Sequence, residues 1–159
     1  MSPRRTRTPW LASWAAVVAW MLFIFLLSSQ PAEQSNRLSK SVTEVVAVAV
    51  QEVAPEQDID LRQMNRTLRK YAHFFAFFVL GMLVANAWRS SGKPLRQRMV
   101  YSLLVCLPVA LSDEGHQLLV PGRGGQMRDV WIDSAGAILG IGLFSVFHSW
   151  LSSIHAKKR

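Results

Sequence analysis

Residues 110–140, ALSDEGHQLLVPGRGGQMRDVWIDSAGAILG, decide how this chain is read. Asp113 and Glu114 close one apolar run, and Asp129 and Asp133 open the next. A glycine-rich link carrying Arg123 and Arg128 lies between them. Charges set this close to membrane-type apolar runs are costly beside lipid and usually face a protein interior. They are the first place to look for function.

The sequence on either side supports a membrane reading. From Thr8 to Ala32 there is no Asp, Glu, Lys, Arg or His. An uncharged run of roughly 20 residues matches the hydrocarbon core of a bilayer. The formal charge of +8 on 159 residues is therefore read as topology rather than as affinity for nucleic acid, and no nucleic-acid partner is expected. The length fits a single domain over residues 1–159. Cys106 is the only cysteine, so an intrachain disulfide is excluded; it lies in an apolar run and reads as a small buried hydrophobe.

The expected fold is all-α: a polytopic bundle of four transmembrane helices, with an extra interfacial helix between spans one and two. The spans fall near residues 10–29, 69–88, 99–120 and 129–150. The first follows Arg4, Arg5 and Arg7. Its apolar core exceeds the usual signal-peptide length of about 7–15 residues and Ser28-Ser29-Gln30 is a poor cleavage site, so an uncleaved helix is expected. Ser41–Ala54 is apolar but too short to span and reads as the interfacial helix, although its valines leave a strand open. Leu61, Met64, Leu68, Tyr71 and Ala72 recur at three-four spacing, which starts the second helix near Leu61. Lys70, His73, Phe77 and Gly81 then share one side of it.

The run from Met99 to Leu111 is too short to span unless its helix continues to about Val120. At 1.5 Å per residue that would leave Glu114 roughly 9 Å short of the helix end. Pro121-Gly122-Arg123-Gly124-Gly125 is a turn by composition. In the fourth span Asp129, Asp133, Gly136 and Gly140 form one stripe, and the Gly136-x-x-x-Gly140 pair predicts close packing on another helix. That face could serve a homodimer or pack within the monomer.

Basic clusters at the N-terminus, at Arg89–Arg98 and at the C-terminus put all three in the cytoplasm by the positive-inside rule. Lys70, His73, Asp113, Glu114, Gln117, Arg123, Arg128, Asp129 and Asp133 then gather at the outer end of the bundle, brought there by three helices and a loop. Lys70 and Arg123, with Arg128, suit an anion such as a lipid phosphate, since arginine binds it through two parallel N–H groups. Glu114 and His73 are the acid–base candidates. A plain polar clasp, with Lys70 and Arg123 pairing Glu114 and Asp129, explains part of the cluster, but a clasp needs fewer groups. No metal site and no cofactor are expected, because no close Cys/His spacing exists and His116 points to another helix face. No nucleophile-elbow sequence surrounds Ser112 or Ser134.

The ordered set Phe25-Leu26-Leu27-Ser28-Ser29-Gln30-Pro31, Lys70-x-x-His73-Phe74, Glu114-x-x-Gln117, Pro121-Gly122-Arg123 and Asp129-x-x-x-Asp133-x-x-Gly136-x-x-x-Gly140 resembles the VanZ family, named for a protein associated with low-level teicoplanin resistance. The resemblance covers most of the chain; family members carry Asn as well as Asp at the position of Asp133. It implies a protein of the bacterial cell envelope, in the cytoplasmic membrane, without implying an agreed reaction. The expected partners are membrane lipids and a lipid-linked cell-wall precursor or glycopeptide. The leading expectation is an anion- or lipid-binding pocket that alters glycopeptide susceptibility. The alternatives are an intramembrane acid–base enzyme acting on a phosphate or ester bond, and a small transporter.

Overall fold

A computed structural model describes residues 8–31, 45, 46, 48 and 61–157. The described residues form four helices and no strand: α1 (Thr8–Ser28), α2 (Leu61–Ser90), α3 (Leu95–Gln117) and α4 (Met127–Lys157). The expected helix over Ser41–Ala54 lies outside the described residues, apart from Val45, Val46 and Val48, whose backbone is helical. Three helices are long and apolar enough to cross a membrane, over Trp10–Ser28, Gln63–Ser90 and Met127–Ile154. α3 is more polar, with Arg96 and Arg98 near its start and Asp113 and Glu114 near its end.

The helix ends follow from local chemistry. Ser91 and Gly92 stop α2. Gly92 takes φ 79°, a left-handed conformation that glycine adopts without a Cβ clash. The Lys93 N–H then returns to the Trp88 carbonyl at 3.2 Å. Pro94 opens α3 with an extended backbone, and Pro108 lies inside that helix without ending it.

α3 ends at Gln117, three residues before the expected limit. The Leu119 and Val120 N–H groups fold back onto the His116 and Gln117 carbonyls, tightening the chain out of the α-helix. Glu114 therefore stands about 4.5 Å from the helix end by the helical rise, half the expected depth. A turn follows, with Pro121 second, Gly122 third at φ 75°, and the Arg123 N–H on the Val120 carbonyl at 3.1 Å. Proline then positive-φ glycine is the pattern of a type II turn, and it aims Arg123 back at the bundle.

The core is built on α2 and α4, which run parallel. A Cβ on Gly136 would overlap the Phe74 carbonyl, one on Gly140 the Phe78 carbonyl, and one on Gly81 the Ala137 carbonyl. The glycine stripe thus packs within the chain, backbone against backbone. Phe77, Leu80 and Val84 of α2 are fully buried beside Ala137 and Ile141 of α4. α1 adds Val17 and Ile24, and the Trp20 indole N–H donates to the Ala76 carbonyl at 2.9 Å. α3 turns a stripe of Ser102, Cys106, Ala110, Asp113 and Gln117 inward at helical spacing.

The two ends of the bundle are distinct. At one, Ser13 meets Ser90 at 3.2 Å, and Trp14 packs edge-on against Trp88 with ring centres 5.0 Å apart. This joins the start of α1 to the basic link between α2 and α3. At the other, the end of α1 and the start of α2 meet the acidic end of α3 and the acidic start of α4.

Candidate functional site

At that second end the helices leave a cavity of about 170 Å³. Arg66, Arg69, Lys70 and Arg123 line it, together with Glu114, Asp129 and Asp133, and with His73 and Gln117. Seven of the nine polar residues expected at this end therefore line it, and Asp113 stands beside them, 3.7 Å from His73. Arg128 is exposed and is not among the lining residues.

Each side chain is held by a traceable bond. Asp113 is 4% exposed and accepts from the Ser28 hydroxyl at 2.8 Å and from the Gln117 amide at 3.1 Å. Arg123 reaches from the type II turn to the Ser28 carbonyl at 3.2 Å, satisfying an acceptor left free where α1 ends. Burial lowers the Arg123 pKa from its ordinary value, with a smaller contribution from the like charge of Arg69; the guanidinium still stays charged. Lys70 pairs with Asp129 at 2.8 Å, both about one-third exposed at the cavity rim.

Glu114 accepts the backbone N–H of Gln126, just before α4 begins. Its carboxylate therefore satisfies one of the donors that a helix start leaves open. The other oxygen, Oε2, is buried without a hydrogen-bond partner. His73 faces two other acids: Nδ1 lies 3.7 Å from Asp113 Oδ2 and 3.7 Å from Asp133 Oδ2. The expected clasp is thus half present: Lys70 takes Asp129, while Arg123 takes a backbone carbonyl.

Asp113 was expected at this end of the bundle, though without a part of its own in the pocket, and Arg66 and Arg69 were not expected there. Their signals were present. Asp113 continues the inward stripe Ser102–Cys106–Ala110, and Gln117 extends it by one turn. Arg66, Arg69, Lys70 and His73 recur three or four residues apart on one side of α2. His116 lies elsewhere, packed at a tilt against Phe25 with ring centres 4.4 Å apart, and 3.1 Å from the Ser29 hydroxyl.

Comparison with curated proteins gives no match, and neither does comparison with solved structures. The family model described as VanZ/LLP1 matches residues 13–148, which takes in every residue of the cavity and all four helices except the start of α1 and the end of α4. The chain belongs to the VanZ/LLP1 family.

Proposed function

We propose that this is a bacterial cell-envelope protein that holds an anionic group in the cavity, at the outer face of the cytoplasmic membrane. The group is a phosphate borne by a lipid or by a lipid-linked envelope precursor. The observation that carries this is the convergence of Arg66, Arg69, Lys70 and Arg123 on one small hollow. The Arg123 Nε is moreover buried without a hydrogen-bond partner, and a phosphate oxygen supplies the acceptor it lacks.

Four spans with both chain ends in the cytoplasm fit the charge pattern. In this arrangement α3 crosses the membrane with its polar stripe turned away from lipid. The cavity then opens to the outer leaflet. A bound precursor there would alter the access of glycopeptides such as teicoplanin to their target.

Native mass spectrometry of the purified protein, with extraction of its lipids, tests the binding. Wild-type protein should carry a phosphate-bearing lipid, Arg123→Ala should lose it, and Arg123→Lys should retain only part. Equal lipid in wild type and Arg123→Ala would reject the reading.

A second reading is an intramembrane enzyme acting on a lipid phosphate or ester bond. It is favoured by Glu114 Oε2, a buried carboxylate oxygen without a partner beside those cations. Glu114→Gln separates the two readings: it should leave binding intact, and loss of product formation in that variant would support acid–base chemistry.

A further inference from the structure

Below the cationic rim lies a different group of side chains. His73 comes from α2, Asp113 from α3 and Asp133 from α4. Each offers one ligand atom, and these atoms lie within 4.8 Å of one another. Asp113 is 4% exposed and Asp133 only 1%. Neither oxygen of Asp133 has a hydrogen-bond partner, although both are buried. The His73 nitrogen stands 3.7 Å from it, too far for a hydrogen bond. A carboxylate out of water and without donors is among the costliest groups a protein can bury, and buried charges are usually paired or bind metals.

Two of the nearby cations have other partners. Lys70 pairs with Asp129 at the rim, and the Arg123 Nη1 is taken by the Ser28 carbonyl. Two carboxylates therefore face one imidazole. We propose that His73, Asp113 and Asp133 bind a single divalent metal ion, Zn²⁺ or Mn²⁺, at the floor of the cavity.

Three observations fit an ion. The first is spacing: His73 Nδ1 stands 3.7 Å from an oxygen of each acid, a separation that two bonds of about 2.1 Å to one ion span at an angle of roughly 120°. The second is donor type: one imidazole nitrogen with two carboxylate oxygens suits Zn²⁺ or Mn²⁺ better than Mg²⁺, which prefers an all-oxygen shell. The third is the outer shell: Ser28 and Gln117 both donate to Asp113 Oδ2, fixing the carboxylate as groups behind metal ligands do. Three protein ligands leave open positions toward the cavity, where water or the anion above could bind.

This goes beyond anion binding and is tested with metal alone, in phosphate-free buffer. Failure to bind metal would leave the anion reading standing, and the reverse also holds. Metal-stripped wild-type protein in nanodiscs is titrated with Zn²⁺ and Mn²⁺. The expected result is one ion per chain. His73→Asn and Asp133→Asn should each weaken binding at least tenfold, and Ser28→Ala should weaken it less. His148→Gln, at the far end of α4, should bind as wild type does.

Because a variant could misfold, Mn²⁺ bound to wild-type protein is also examined by pulsed electron paramagnetic resonance. One imidazole nitrogen should couple to the ion. Absence of stoichiometric binding in monodisperse wild-type protein would overturn the site. So would a bound-ion spectrum lacking the nitrogen, or a folded Asp133→Asn that binds as tightly as wild type.

Discussion

The Ser28 hydroxyl donates to the Asp113 carboxylate at 2.8 Å, joining the last residue of α1 to the acidic end of α3 across 85 positions of sequence. Both residues are buried, and the Gln117 amide reaches the same carboxylate oxygen. This contact closes one wall of the site and makes the end of α1 part of it.

Ser28→Ala should remove that contact while leaving Gln117 in place. A buried hydrogen bond to a charged acceptor is worth roughly 1.5–3 kcal/mol, and the remaining donor should keep the loss near the lower figure. Thermal unfolding of the reconstituted protein measures it. A melting temperature equal to wild type would show that Asp113 finds another donor.

Gly140→Ala should be among the most harmful single-methyl changes, because its Cβ meets the Phe78 backbone rather than a movable side chain. Overpacking of this kind costs about 1–3 kcal/mol. Gly142→Ala, with open space around it, should be neutral or slightly stabilising. Detergent stability of the two variants side by side checks the contrast, and equal stability would contradict the backbone packing of α2 on α4.

Glu114→Ala frees the Gln126 N–H and should destabilise by about 1 kcal/mol, the usual cost of losing a helix cap. Glu114→Gln keeps an acceptor oxygen and should unfold like wild type. Chemical denaturation of both variants separates a structural need for the oxygen from a need for the charge.

Lys70→Met should barely move stability, by less than about 1 kcal/mol. The Lys70–Asp129 pair is partly exposed at the rim, where solvent and salt weaken it. Anion binding should fall several-fold all the same. A variant with unchanged binding would remove Lys70 from the anion site.

Much of this was open to reading in one dimension. The apolar run from Thr8 marked a helix long and apolar enough to span a membrane, the three-four pattern placed the start of α2 at Leu61, and the Gly136/Gly140 stripe marked a packing face. Such features depend on neighbours one to four residues away, so composition and spacing carry them. The end of α3 was misjudged because apolar Leu118, Leu119 and Val120 read as helix, whereas two backbone N–H groups had already turned back.

What each acid does could not be read the same way. Glu114 and Asp113 are adjacent, share a charge and are both buried, yet one caps α4 while the other faces His73 and Ser28. About 100° of rotation along a helix separates their side chains. The amino-acid order determined that a charged cluster would be buried at one end of an apolar helical bundle. Only the packing of the four helices on one another decided which acid meets which donor, because those partners lie many turns away in the chain and are chosen by where the helices touch.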